Sequence, residues 1–280
     1  ADGFSRNHTY YGGNIGSMGY VFEYHDYRAD GYKNIQGAGN KDAGFDKQTD
    51  LVKLSYAPSN SAWNQTFEIL SSNTSETSNE TYIGLTGVDF AADPFQRYGA
   101  SSIDQMDNDY HRYIFTHTMQ PSSTMKITSK LYKTRYSRLW GKSGEMKVGN
   151  ATTGLGALTT VKYSALDLAG NCAGDTGKEL RACNILTNNT AMAGTEYIKQ
   201  SMGHRDYGMT GVQFIINQDV GNHALEYGYR RHKDYRSRHD KDYYRKFSKG
   251  TDGTMSLQAN GNIRGATTTT LGELKDTDAS

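Results

Sequence analysis

The sequence predicts an all-β chain, an antiparallel up-and-down transmembrane β-barrel segment with long extracellular loops. Three observations predict it. Apolar and polar residues alternate with period two in segment after segment. Short, turn-like connections alternate strictly with long ones. The composition combines 21 Tyr with only 3 Pro in 280 residues, at a mean hydropathy of −0.76.

Taken in order, Tyr10 and Tyr11 mark a first strand before Gly12 and Gly13. In the second, Met18, Tyr20, Phe22 and Tyr24 share one face, opposite Gly19, Glu23 and His25. Weaker alternation marks 49–56. Trp63, Phe67 and Ile69 then oppose Asn64, Thr66 and Glu68. Strands over 110–119 and 125–135 follow, and 198–216 mixes Tyr207, Met209, Val212, Phe214 and Ile215 without a clean face. Leu225, Tyr227 and Tyr229 oppose Glu226, Gly228, Arg230 and His232, and a last alternation runs from Met255 to Asn262. The total is about nine strands, with no helical periodicity.

The turns at 12–16, 58–62, 121–124 and 217–222 are short and built from Gly, Pro, Asn, Asp and Ser, which favour tight reversals. The connections at 29–48, 75–108, 137–196 and 236–252 are long. A globular domain rarely holds structureless loops of that length, whereas a transmembrane barrel carries short turns on one rim and long loops on the other. A β-sandwich, soluble or adhesin-like, stays open from pattern alone and would bury the Tyr/Phe face in a core. The polar strand face carries Glu23, His25, Glu68, Glu226 and Arg230, which suits a water-filled or plugged lumen. Low hydropathy follows, since half of every strand and all long loops are polar.

Composition also excludes. No stretch approaches the roughly 20 apolar residues of a membrane-spanning helix. A formal net charge of +1 argues against a dedicated nucleic-acid binder. Cys172 and Cys183 are the only cysteines and lie in a polar loop. A disulfide between them is preferred to free thiols, and implies an oxidising compartment. No nucleophile elbow, phosphate loop or dinucleotide fingerprint is present. Neither the acidic run 104–109 nor the histidines have the spacing of a known metal loop, so neither enzyme nor metal site is expected.

The run Glu80-Thr-Tyr-Ile-Gly-Leu-Thr-Gly-Val-Asp-Phe-Ala-Ala-Asp-Pro-Phe-Gln-Arg-Tyr98, followed by Ala100-Ser and Asp104-Gln-Met-Asp107, resembles a loop of outer-membrane TonB-dependent receptors of the ferric dicitrate transporter type. Gly12-Gly, Gly19-Tyr, Asp30-Gly-Tyr-Lys33 and Gly44-Phe-Asp-Lys-Gln-Thr-Asp-Leu51 are similar to that family in the same order. So are Tyr132–Lys142, with its Arg-x-Trp element, and Leu225–Asp234 with Arg238 and Asp242. The segment 150–195 is the least family-like. The resemblance implies a 22-stranded barrel in the bacterial outer membrane, occluded by a plug domain and importing a ferric chelate with TonB-coupled energy. Nine strands cannot close such a barrel. Residues 1–280 are therefore read as an internal barrel segment without the plug and without the TonB-contacting part.

The implied ligand is an anionic iron chelate, citrate-like or another siderophore, and no protein-held cofactor is expected. Arginine suits such a ligand because its planar fork pairs bidentately with carboxylates. Arg135, Tyr136, Arg138 and Lys142 stand where a strand rises into the longest loop. Arg236, Arg238 and Arg245 lie in the second basic cluster, where Asp234, Asp240 and Asp242 interrupt the charge and speak against nucleic acid. Cations not used for ligand would be solvated or would contact lipopolysaccharide.

Overall fold

The computed structural model describes residues 3–37, 42–60, 62–149, 158–187, 189–193, 196–251, 253–258 and 263–264. In chain order the strands are β1 (Ser5–Ile15), β2 (Met18–Ala29), β3 (Asn34–Ile35), β4 (Phe45–Tyr56), β5 (Thr66–Asn79), β6 (Gln96–Arg97), β7 (Gln105–Ser122), β8 (Met125–Val148), β9 (Thr159–Lys162), β10 (Tyr197–Val220), β11 (His223–Arg245), β12 (Phe247–Lys249), β13 (Met255–Leu257) and β14 (Ile263–Arg264). Two helices, α1 (Gly87–Ala92) and α2 (Gly177–Leu186), lie in the long connections.

One large antiparallel sheet dominates, in the order β1-β2-β4-β5-β7-β8-β10-β11-β14, with β9 added along β8. Chain neighbours are sheet neighbours, so the path runs up and down. Three hairpins reverse over two residues each, Gly16-Ser17, Ser123-Thr124 and Gly221-Asn222. Both glycines have φ near +60°, a conformation that side chains with a Cβ disfavour. The turn expected at 12–16 therefore narrows to Gly16-Ser17. Gly12 and Gly13 stay in β1, and the Tyr20 ring lies over Gly13.

The strands are longer than alternation implied. β8 and β10 have 24 residues each, about 80 Å of extended chain at roughly 3.4 Å per residue. β8 continues past the expected 125–135 through 136–148, β10 past 198–216 to Val220, and β11 into the expected connection 236–252 as far as Arg245, each laddered to its neighbouring strand. The alternation at Met255–Asn262 forms a short β13 paired with β12, not a sheet strand. Residues 259–262 lie outside the described residues. The two helices correct the expectation of none. α2 buries Ala182, Cys183, Ile185 and Leu186 within a segment whose polar composition masks this i, i+3, i+4 spacing.

The register assigns the two sheet faces. One row runs Phe22–Val52–Ser71–Tyr113–Lys133–Thr210–Lys233. The adjacent row on the same face runs Tyr20–Leu54–Ile69–Phe115–Leu131–Val212–Arg231. Several apolar side chains of this face are exposed: Ile69 at 55%, Leu131 at 51% and, in the next row, Phe214 at 44%. An 820 Å³ groove on this face is lined by Ile69, Tyr113, Phe115, Leu131 and Val212, with Lys133, Arg231 and Lys233 at its margin. The opposite face is mostly polar, with Leu70, Ile114 and Tyr132 as an apolar row within it. The row Ser55–Glu68–Thr116–Lys130–Gln213–Arg230 is typical of it, and Lys53 reaches Glu68 at 2.8 Å.

Burial is concentrated elsewhere, in a cap at the end of the sheet away from the tight turns. There Ile83, Tyr98, Ala100, Ile103, Met146, Val148, Val161, Ile185, Leu186, Ile198, Phe247 and Met255 form one cluster. Buried carboxylates tie it together. Asp104 accepts from the backbone N–H of Tyr82 (3.0 Å) and Ser143 (2.6 Å). Glu196 accepts from Arg181 Nε (2.9 Å) and Nη2 (2.8 Å) and from the Ala193 N–H (2.7 Å). Thr86 caps α1, and the Tyr98 hydroxyl donates to Asp89 at 2.5 Å. Burial, reinforced by that carboxylate, pushes the Tyr98 phenol up to about 12. A disulfide joins Cys172 to Cys183, with Cα atoms 5.9 Å apart, and anchors α2 to the preceding turn.

Candidate anion-binding face

The polar face changes character toward the cap. One row reads Thr49–Thr74–Tyr110–Tyr136–Tyr207–Arg236 across β4, β5, β7, β8, β10 and β11. The row above it reads Lys47–Glu76–Asn108–Arg138–Arg205–Arg238. Arg112 sits one row below the tyrosines, opposite Thr134. Five guanidinium groups and three phenols thus converge on one surface because residues two apart on adjacent strands share a face.

Their environments differ. Arg205 donates to Asp240 Oδ1 (2.6 Å), and Arg238 donates through Nε to Asp240 Oδ2 (2.6 Å). A single carboxylate therefore serves two arginines. Burial alone would raise the Asp240 carboxyl, but the Arg238 and then the Arg205 guanidinium outweigh it and hold it below the usual aspartate range. The pair passes over Gly203, which leaves room above the strand. Arg112 and Arg138 each bury an Nε that has no hydrogen-bond partner among the described residues. Glu76, the nearest acid in the Arg138 row, is engaged by Lys47 at 3.1 Å.

Trp140 completes the arrangement. Its indole lies against the Arg138 guanidinium on one side (4.7 Å to the ring centre) and the Lys142 ammonium on another (4.6 Å). Its Nε1 donates to Glu80 at 3.2 Å, and Tyr82 donates to the same carboxylate oxygen at 2.7 Å. Cation–π contact of this kind holds a cation in place without neutralising it. Between Tyr136, Tyr207, Met209, Asp234 and Arg236 there is a depression of 440 Å³.

Of the residues expected from sequence, Tyr136, Arg138, Arg236 and Arg238 meet on this face, with Lys142 adjoining through Trp140. Arg135 and Arg245 do not join them. Arg135 points from the apolar side of β8, where it approaches Asp206 at 3.4 Å. Arg245 donates to Gln200 at 3.0 Å and lies over Tyr243. Alternation along β8 separates Arg135 from Arg138 by an odd number of positions, so both cannot serve one face. Sequence reading missed Arg112, Arg205, Tyr110 and Tyr207. Gly203, Arg205, Tyr207 and Met209 do alternate with His204, Asp206 and Gly208, but polar residues on both faces hide the period.

No protein-family model and no curated protein matches the chain.

Proposed function

We propose that this chain is part of a bacterial outer-membrane β-barrel that captures an anionic ferric chelate, citrate-like in chemistry, on the arginine- and tyrosine-lined wall beneath its extracellular cap. The observation that carries the reading is the pairing of two faces. The exposed side of the sheet is apolar and the less exposed side bears the arginines, which is the inverse of a water-soluble sandwich and the order expected of a barrel wall. The ten or so residues of each strand nearest the tight turns form the membrane-crossing part. The cap and the Arg138–Arg205–Arg238 row stand beyond it, in extracellular water. The motif resemblance supports TonB-coupled import, with plug and TonB contact supplied by parts outside this sequence.

Capture is electrostatic. A chelate carrying several carboxylates meets Arg138 and Arg112 with donors to spare, while the phenols of Tyr136 and Tyr207 donate to its remaining oxygens. Bidentate guanidinium–carboxylate pairs give orientation as well as energy. The chain acts as a receptor wall, not as an enzyme. On the opposite face Lys133, Arg231 and Lys233 border the apolar groove and suit the phosphates of lipopolysaccharide.

Binding to the full chain refolded in detergent micelles tests the proposal. Ferric dicitrate should saturate it, and a neutral hydroxamate chelate and cobalamin should not. Preferential binding of either of the latter two would overturn the ligand class. A monodisperse, folded chain in detergent-free buffer would overturn the barrel reading in favour of a sandwich.

A further inference from the structure

The histidines show no metal spacing along the chain, yet two of them meet across the first hairpin. His8 and His25 are directly paired in the β1–β2 register. Glu23, two residues before His25, shares their face. His8 Nε2 and His25 Nε2 each lie 2.8 Å from one atom, Glu23 Oε1. The two imidazoles stack with centroids 3.9 Å apart and planes inclined by only 10°, and both Nε2 atoms meet the one carboxylate oxygen as hydrogen-bond partners. Tyr27 Oη lies 3.2 Å from His25 Nδ1. The three ligand atoms are mutually within 4.8 Å.

From this geometry we infer that His8, Glu23 and His25 form a binding site for a divalent first-row transition metal, zinc being the ion whose chemistry fits best. Two imidazole nitrogens and one carboxylate oxygen make a set that zinc accepts in sites with an open position. At metal–ligand distances of about 2.0–2.1 Å, neighbouring ligands stand about 2.9–3.4 Å apart. The two nitrogen–oxygen separations of 2.8 Å lie just below that range, and an ion requires the rings to turn out of their stack so that both Nε2 lone pairs face it. Tyr27 supplies the outer contact that metal-bound histidines characteristically make; with an ion on Nε2, the His25 Nδ1–H would donate to the phenol oxygen. All four residues belong to one hairpin, so the site does not depend on sheet closure or on the anion-binding reading. With three protein ligands, the remaining coordination is left to water or to an oxygen of a passing chelate on the polar face.

The test is titration of the full chain, refolded in detergent micelles, with zinc chloride, with cobalt(II) as a spectroscopic probe and magnesium as the control. One equivalent of zinc should bind, cobalt should develop visible d–d absorption, and magnesium should do neither. The double substitution His8→Asn/His25→Asn should weaken zinc binding by about a hundredfold or more. Tyr27→Phe should weaken it about tenfold, the scale of an outer contact. His204→Ala should leave it unchanged. Near-UV circular dichroism of each variant without metal checks that the fold persists. Absence of saturable zinc binding by the parent chain would overturn the inference. So would zinc affinity within twofold of the parent in the folded double variant, or loss of binding through His204→Ala instead.

Discussion

Arg138→Met separates charge from packing at the centre of the candidate face. Methionine keeps an unbranched stem against Trp140 and removes the guanidinium. Arg138 makes no ion pair among the described residues, and its buried Nε has no partner, so its loss should leave the fold nearly intact. A hydrogen bond to a charged group contributes about 1.5–3 kcal/mol, which corresponds to a Kd weakened roughly 10- to 150-fold. Arg205 and Arg238 should behave differently because they share Asp240. Removing one leaves Asp240 to the other, and the net loss should be about 1 kcal/mol, or roughly fivefold. Asp240→Asn should strengthen binding severalfold by releasing both. The assay is quenching of tryptophan fluorescence by ferric dicitrate. Trp140 reports directly, and Trp63, the other of the two tryptophans, can be removed as a control. The effect should shrink with added salt, as screening requires. Equal affinity for parent and Arg138→Met, with matching near-UV spectra, would refute the assignment of this row to ligand.

The cap offers further tests. Glu196→Ala should orphan the Ala193 N–H and one side of Arg181, lowering local stability by about 2–3 kcal/mol. Faster hydrogen exchange across 177–198, with the sheet unaffected, would register it. Replacing Cys172 and Cys183 by Ser opens an 11-residue loop and should cost about 3 kcal/mol through the unfolded state, read as earlier tryptic cleavage at Lys178 and Arg181. The depressed Asp240 carboxyl contributes stability that is fully present above the ordinary aspartate pKa. That contribution is lost as pH falls through the lower folded value. Hydrogen-exchange protection near Gly203, corrected for intrinsic exchange, should therefore hold down to the usual aspartate range and fall only below it, and Asp240→Asn should abolish the dependence.

The facing of β2 and β11 was legible because side-chain period in a strand is set by the backbone alone. Tyr20, Phe22, Tyr227 and Tyr229 fall on the apolar side whatever their partners. Strand ends were not legible, since Ser137 extends the ladder only because β7 and β10 pair with it, and Ser143 only because β10 does. α2 was hidden because its apolar positions are interleaved with Lys178, Arg181 and Asn184, and tertiary packing decides the helix. In the candidate face, the β8 tyrosine and arginine were found but the matching pair on β10 was not. Cross-strand register, the quantity that unites Arg138 with Arg205 and His8 with His25, is absent from any single window of sequence.

The cluster that buries Met146, Ile185 and Ile198 sits at one end of the chain's long axis, while the exposed apolar face of the sheet occupies the other. On the barrel reading proposed above, the two ends require different solvents. Water drives the cap together and an oxidant locks it, whereas the lower sheet gains only when its Ile, Leu and Phe leave water. Folding should therefore be divisible: reductant should loosen the cap in micelles that keep the sheet intact, and dilution of detergent should precipitate the sheet while the disulfide remains closed.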